Sequence, residues 1–196
     1  QVHETFDRYV AKHLPKADAY IGLSCGGLRA GREAIRRGMR YLRDRGSSHI
    51  QTQDALLREE FRRWGERYPG IDPRVIDKEM SEYEAADAIL VPSGFVERSF
   101  HDHGVPAAKL RRLSYGVDLS RFQPDGVPNA EEFRVLFVGQ ISFRKGLPDL
   151  LDAFDRLDHP RKRLLLVGGI QPEMRRYLAR FPPAPSIELR GHVPRP

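Results

Sequence analysis

The most informative segment of the chain reads Phe133-Arg-Val-Leu-Phe-Val-Gly-Gln-Ile-Ser-Phe-Arg-Lys-Gly146. Its apolar run ends at Gly139, a polar turn follows, and Lys145 precedes an amphipathic segment. This order predicts a β-strand, a glycine turn and the start of an α-helix. Such a turn can bind a phosphate, because backbone N–H groups, the helix dipole and a lysine all favour negative charge. Many α/β turns with a glycine and a lysine bind no ligand, so the segment alone leaves both interpretations open.

Strand and helix patterns alternate on both sides of this segment. Before it, apolar spacing predicts helices at Val2–Leu14, Leu28–Arg37, Gln53–Trp64, Val75–Ala86 and from Ser93 towards His103, and strands at Ala19–Leu23, Met39–Leu42, Ala88–Val91 and Leu110–Leu113. From it onward, strands are predicted at Val135–Val138, Leu164–Val167 and Ile187–Leu189, and helices at Leu147–Leu157 and Glu173–Arg180. This alternation indicates an α/β fold with two Rossmann-like halves, each built on a parallel sheet.

The segment Ser120–Asn129 predicts a linker between the two halves. It contains Pro124, Gly126 and Pro128, which are typical of loops. We therefore divide the chain into residues 1–119, a linker of residues 120–131, and residues 132–196.

The composition is that of a soluble globular protein, with 40% hydrophobic and 31% charged residues. No apolar run approaches the roughly 18 residues of a membrane-spanning helix. The single cysteine, Cys25, excludes an internal disulfide and indicates a reducing, cytoplasmic environment. No Cys/His cluster has the spacing of a metal site, so we expect no bound metal. His101 and His103 fit a solvated helix end better than a ligand pair.

The basic residues are densest between Arg29 and Arg45, in a chain with a net charge of +6. Acidic residues are interleaved with the basic ones along most of the chain, which favours a solvated helix face. A phosphate-rich partner is the alternative, with an anionic membrane surface or a charged acceptor as its best form. In that case the protein would act peripherally, at the inner face of a membrane.

Three segments resemble the signatures of one enzyme family. They are Tyr83-Glu-Ala-Ala-Asp-Ala-Ile-Leu-Val-Pro-Ser93, Ser114-Tyr-Gly-Val-Asp-Leu-Ser-Arg-Phe122 and Val138-Gly-Gln-Ile-Ser-Phe-Arg-Lys-Gly146. In this order and spacing they resemble the retaining family 4 (group 1) glycosyltransferases with the GT-B fold. Leu164-Leu-Leu-Val-Gly-Gly169 and Ile187-Glu-Leu-Arg-Gly-His-Val193 are similar to the next two strands of that family.

The resemblance implies a division of labour between the two halves. Residues 1–119 would be the later part of an acceptor-binding domain, and residues 132–196 the first part of a nucleotide-sugar domain, with residues 120–131 as the hinge. The family transfers a sugar from a nucleotide-diphosphate donor to a saccharide, lipid or small-molecule acceptor, without an obligatory metal or other cofactor. Its donor domain carries two glutamates separated by seven residues, and no such pair occurs here. We therefore expect a central fragment that is nearly inactive alone, whose incomplete sheets invite homodimerisation.

The donor site implied by the resemblance centres on the turn after residue 138. Lys145 matches the lysine that binds the donor diphosphate, and Gly139 the glycine of the same loop. The family usually has an arginine where this sequence has Gln140, which removes one charge-assisted contact with phosphate. We expect Arg144 to supply the missing charge.

The remaining site residues follow from looser matches. His49 resembles a family histidine that faces the cleft near the transferred sugar, and it is our candidate catalytic residue, with a surface-loop histidine as the alternative. Gly191 and Val193 align with a loop near the nucleobase. Gly116 and Asp118 match the hinge-side loop, where we expect a turn and a cap rather than ligands.

The sequence therefore predicts a glycosyltransferase and leaves two alternatives open. One is a non-catalytic basic module that binds nucleic acid or an anionic membrane through Arg29–Arg45, although we expect no nucleic acid as a partner. The other is a phosphate-binding α/β enzyme such as a phosphorylase or epimerase relative. The absence of a complete Gly-x-Gly-x-x-Gly motif argues against a dinucleotide enzyme.

Overall fold

The computed structural model describes residues 2–123, 126, 127, 129 and 131–193. The chain divides into two compact units, one of Gln1–Leu56 with Pro69–Leu119 and one of Leu57–Tyr68 with Ser120–Pro196. Each unit contains one parallel sheet, so the predicted α/β class with two Rossmann-like halves is confirmed. The prolines of the predicted linker, Pro124 and Pro128, lie outside the described residues.

The first unit is built on a four-stranded parallel sheet in the order β1-β2-β3-β4. The strands are β1 (Ala19–Leu23), β2 (Arg40–Asp44), β3 (Ala88–Val91) and β4 (Leu110–Arg112). The helices are α1 (Val2–His13), α2 (Leu28–Arg36), α3 (Ile50–Arg63), α4 (Pro73–Ala85) and α5 (Gly94–His101), with a 3-10 turn at Ala107–Lys109. The last turns of α3 belong to the second unit.

The second unit has a three-stranded parallel sheet in the order β5-β6-β7. The strands are β5 (Phe133–Val138), β6 (Lys162–Val167) and β7 (Ile187–Gly191), and the helices are α6 (Leu147–Arg156) and α7 (Pro172–Arg180). A 3-10 turn at Phe143–Lys145 precedes α6. In the part of the chain that the structure describes, no helix is long and apolar enough to cross a membrane.

Most elements begin or end one to three residues from their predicted bounds, and for two of them a local hydrogen bond gives the reason. The strand predicted at Met39 begins at Arg40, because the Met39 N–H donates to the Ala34 carbonyl and closes the end of α2 over Gly38, whose φ is 82°. The helix predicted from Gln53 begins at Ile50, because the Gln53 N–H donates to the carbonyl of His49. Neither bond could be read from apolar spacing.

Residues 57–68 pack into the core of the second unit. The ring of Phe61 lies edge-on to Phe143 at 5.0 Å, and Trp64 lies edge-on to Tyr177 at 5.6 Å. The sequence indicated a packing surface on this helix but grouped it with residues 1–119. These residues complete a core whose other buried members are Ile141, Leu147, Phe154, Leu164, Leu166 and Met174.

A lysine closes the carboxyl end of α6. The Lys162 ammonium donates to the carbonyls of Phe154, Asp155 and Leu157 at 2.7–2.8 Å and lies 5.2 Å from the Phe154 ring centroid. The last carbonyls of a helix have no partner within the helix, and a cation there also complements the helix dipole. This side chain therefore fixes α6 against the start of β6.

We predict that Lys162→Met destabilises the second unit by about 1–3 kcal/mol, because three helix carbonyls lose a charged donor. The measurement is chemical denaturation followed by the fluorescence of Trp64, the single tryptophan of the chain, which reports on this unit. Lys145→Met is the matched control, because the exposed Lys145 side chain has no partner among the described residues, and its effect should stay within about 0.5 kcal/mol. Equal effects of the two substitutions would contradict the capping role.

Candidate functional site

Three glycines end the three strands of the second sheet at its carboxyl edge. Gly139, Gly168 and Gly191 follow or close β5, β6 and β7 and have φ values of 155°, 146° and 65°. The Gly139 N–H donates to the Val167 carbonyl at 2.9 Å, and the Gly168 N–H donates to the Gly191 carbonyl at 2.7 Å. The three turns are therefore joined by backbone hydrogen bonds into one rim, which we call the glycine rim.

The middle of the glycine rim has no room for a side chain. A Cβ atom built on Gly168 would lie 1.8 Å from the carbonyl oxygen of Gly139. Gly168 also has a φ that residues with a side chain rarely adopt. Glycine at this position lets the ends of β5 and β6 approach directly, so the turn after β5 keeps a fixed position on the sheet.

The turn after β5 is held down by its apolar residues. The Ile141 N–H donates to the Gly169 carbonyl, the Gln171 N–H donates to the Ile141 carbonyl, and the Ile141 and Phe143 side chains are buried. The three consecutive residues 141–143 are buried, whereas Gln140, Arg144 and Lys145 on either side of them are exposed. Gly146 then takes the left-handed conformation, with φ 66°, before α6 begins.

This turn places two cations beside a helix amino terminus. The side chains of Arg144 and Lys145 are exposed, and neither has a hydrogen-bond or ion-pair partner among the described residues. No side chain caps the start of α6, whose dipole adds positive potential there. The first-turn carboxylate of Asp149 is paired with Arg63 at 2.7 Å. The local field therefore favours an anion.

Gly139, Gln140, Arg144 and Lys145 are thus brought together in one turn. Val193 follows the end of β7, two strands away from β5 on the same edge, and its side chain is half exposed. The described residues contain no group of three or more His, Cys, Asp or Glu side chains that could hold a metal. The binding roles of these five residues stay predictions.

His49 lies in the interior of the first unit. Its ring is completely buried, stacks on His103 at 4.0 Å, and contacts the rings of Tyr83 and Phe100. Burial, followed by the nearby His103 and Arg45, lowers the pKa of His49 to about 4, so the ring is neutral at neutral pH. The resemblance implies a histidine that faces the cleft. The catalytic role of His49 stays a prediction, and its burial weighs against it.

A buried ionic cluster that the sequence did not predict lies under the first sheet. The Arg43 guanidinium contacts the carboxylates of Glu79 and Glu82 at 3.1 and 2.6 Å and donates to the Gly22 carbonyl, and all three side chains are buried. Arg45 reaches Glu79 at 3.4 Å and donates to the Ser48 carbonyl. Glu79 and Glu82 lie three residues apart on α4, so both carboxylates are on the same face of the helix. This spacing was the one sign of the cluster in the sequence.

Two buried carboxylates, Glu82 of this cluster and Asp7 of α1, accept hydrogen bonds from the backbone of the glycine turn that follows β1 and from the start of α2. Glu82 accepts the N–H groups of Cys25 and Gly27 at 3.1 Å, and Asp7 accepts those of Arg29 and Ala30 at 3.0 and 2.9 Å. Backbone donors that elsewhere would bind a phosphate are satisfied here by internal acids. The first unit therefore has no free anion site at this turn.

The Cys25 thiol is part of this arrangement. It donates to Glu79 at 3.1 Å, and burial, then the charge of Glu79, raises the pKa of Cys25 to about 12. The thiol stays protonated at neutral pH, so it is a poor nucleophile.

The basic stretch Arg29–Arg45 is divided by the fold. Arg43 and Arg45 are buried against carboxylates, whereas Arg29, Arg32, Arg36 and Arg37 are exposed on α2 and just after it. The stretch is therefore not one continuous basic surface.

Comparison with solved structures finds the same architecture in other proteins. No protein-family model and no curated protein matches the sequence. Anabaena HepE, solved with UDP and glucose, is similar with a TM-score of 0.65 at 14% identity, over 96% of this chain and 51% of HepE. The lipopolysaccharide outer core galactosyltransferase WaaB has a TM-score of 0.55 at 14% identity, over 97% of this chain and 48% of WaaB.

A third similar structure belongs to another reaction class. A UDP-N-acetylglucosamine 2-epimerase has a TM-score of 0.51 at 10% identity, over 98% of this chain and 50% of the epimerase. The chain thus spans about half the length of the structures it matches. At these identities the comparisons establish the fold, which glycosyltransferases and epimerases share.

We predict that Gly168→Ala destabilises the second unit by about 3 kcal/mol or more. The new Cβ would overlap the Gly139 carbonyl, and the alanine backbone would be held at an unfavourable φ. Denaturation followed by Trp64 fluorescence measures the loss. Gly169→Ala is the matched control, since a Cβ there meets no atom within 4 Å, and it should be nearly neutral. If the two variants were equally stable, the proposed close approach of the strand ends would be wrong.

A second prediction concerns pH. The pKa of His49 is about 4 in the folded protein, against 6.5 for an ordinary histidine. Between these values the unfolded chain binds the extra proton, so the stability of the first unit falls as pH falls from 6.5 towards 4, by at most about 3 kcal/mol from this residue. His49→Phe should flatten this dependence, measured by hydrogen exchange of the β3 amides. The exposed His101→Phe serves as control and should keep the full slope. An unchanged slope in His49→Phe would contradict the prediction.

Proposed function

We propose that this chain is part of a GT-B glycosyltransferase whose second unit binds the diphosphate of a nucleotide-sugar donor. The observation that carries the proposal is the turn between β5 and α6. It combines the glycine rim with two exposed, unpaired cations, Arg144 and Lys145, and the uncapped start of a helix. The fold similarity to HepE and WaaB supports the same assignment.

In this proposal each element of the turn has a separate task. The absence of a side chain at Gly139 allows a phosphate to approach the backbone. Lys145 and Arg144 supply charge to the two phosphates, and Gln140 donates uncharged hydrogen bonds where the family usually has arginine. Val193, at the end of the same edge, contacts the nucleobase.

The reaction follows from where charge develops. Transfer breaks the bond between the sugar and the diphosphate and forms a bond from the same sugar carbon to an acceptor hydroxyl, whose proton is released. The diphosphate leaves with additional negative charge while the sugar gains oxocarbenium character. The two cations stabilise the leaving group because their positive charge faces the oxygens on which the new charge appears. We further propose that the transfer retains the anomeric configuration, that residues 1–119 bind the acceptor, and that residues 132–196 bind the donor.

An epimerase of nucleotide sugars is the second candidate, because the fold is also similar to a UDP-N-acetylglucosamine 2-epimerase. Both functions need the diphosphate site, and they differ in what happens to the sugar. A transferase moves the sugar to an acceptor hydroxyl, whereas an epimerase inverts one carbon and keeps the nucleotide attached. Analysis of the sugar after incubation with the donor separates them.

We predict that Lys145→Ala weakens the binding of UDP to this chain by about 10- to 150-fold, because one charge-assisted contact contributes about 1.5–3 kcal/mol. Arg144→Ala should weaken it similarly, and Gln140→Arg should strengthen it by adding a charge. Isothermal titration calorimetry measures the three affinities. Binding is the readout because the chain spans about half the length of the structures it matches.

Arg161→Ala is the control for these variants. Arg161 is exposed at the opposite end of the same sheet and is paired with Glu131, so its removal lowers the net charge equally without touching the turn. It should leave the affinity for UDP unchanged. Undiminished binding in both Arg144→Ala and Lys145→Ala would exclude the diphosphate site, and so would equal affinity for UDP and inorganic phosphate.

A further inference from the structure

One face of the first unit carries a concentration of cations that the donor site does not use. A groove between α1 and α2 is lined by six of them: Arg8, Lys12, Arg29, Arg32, Arg36 and Arg37. The one carboxylate in its lining, Glu33, is shared by Arg36 and Arg37 at 2.6 Å. The groove therefore keeps a large positive charge after its internal ion pairs are counted.

Half of these cations have no internal partner. The side chains of Arg8, Lys12 and Arg32 are exposed and make no hydrogen bond or ion pair with any described residue. Arg29 is bound to Glu4 at 2.5 Å. Arg8 and Lys12 lie four residues apart on α1, so their side chains point to the same side of that helix.

An exposed apolar stripe runs along α1 beside these cations. Val2, Phe6 and Tyr9 are spaced by four and three residues and are 80%, 58% and 61% exposed. Another side of α1, around Asp7, Val10 and Ala11, packs against the rest of the first unit. α1 thus offers solvent an apolar stripe and a basic stripe side by side, a pattern typical of helices that lie in a membrane interface.

We propose that this face, the α1–α2 surface, docks the protein on an anionic lipid bilayer. The cations attract anionic headgroups, and Val2, Phe6 and Tyr9 enter the boundary between headgroups and acyl chains. A soluble polyanion would satisfy the charges but leave the apolar stripe in water. A second copy of the chain would bring two positive grooves together, which like-charge repulsion opposes.

The test is co-sedimentation of the whole chain with vesicles of phosphatidylcholine, with and without phosphatidylglycerol. Binding should require phosphatidylglycerol and should decrease as salt is raised, because surface charges are screened. Arg8→Gln with Arg32→Gln should weaken partitioning about 30-fold, since each cation near an anionic surface contributes about 1 kcal/mol. Arg161→Gln with Arg175→Gln removes the same charge from the second unit and should leave partitioning unchanged.

One further variant separates a bilayer from a soluble polyanion. Phe6→Ser should reduce vesicle binding and leave any binding of heparin or RNA unchanged, because only the bilayer buries the apolar stripe. Circular dichroism checks that each variant is folded. Equal losses in both double variants would overturn the proposal, as would vesicle binding that is unaffected by Phe6→Ser. The proposal would also be overturned if the chain bound RNA but not vesicles, and if Arg8→Gln with Arg32→Gln weakened that RNA binding.

Discussion

The contact between two backbone segments, at Gly139 and Gly168, constrains the whole carboxyl edge of the second sheet. Neighbouring strands of a sheet lie about 4.8 Å apart, so a side chain at the strand end can occupy the space between adjacent turns. Here the middle turn has no Cβ, its neighbours share backbone hydrogen bonds with it, and the turn after β5 continues as a short parallel bridge between Ile141 and Ile170. That backbone also fixes the position of Arg144 and Lys145, because Ile141 and Phe143, which lie between Gly139 and the two cations in sequence, are buried in the core.

Most of the fold could be predicted because it depends on local patterns. Apolar runs such as Ala88–Val91 and turn residues such as Gly38 and Gly104 can be recognised from residue types alone. The alternation of strand and helix patterns between them indicates the α/β class. The turn around Lys145 could be found for the same reason. Its 3-10 geometry and the absence of a cap at α6 could not, since they depend on how Gly146 turns the backbone.

Long-range pairing explains what the sequence could not predict. Arg43 looked like one more arginine of a basic stretch, and only the packing of α4 against β2 brings Glu79 and Glu82 to it. His49 looked like a loop histidine near a sheet edge, yet residues from α4, α5 and the loop after α5 enclose its ring. In both cases the partners lie more than thirty residues away in sequence, and charge or burial could be assigned only after folding.

The helix α3 contributes side chains to two cores. Ile50, in its first turn, belongs to the buried cluster around Tyr83 and Phe100, whereas Phe61, in its last turn, belongs to the cluster around Phe143. A polypeptide begun at Ser120 would therefore carry all three strands of the second sheet but expose the faces of Phe143 and Tyr177 that Phe61 and Trp64 cover. The compact second unit is therefore discontinuous in sequence: residues 57–68, which precede the last two strands of the first sheet, supply part of its core.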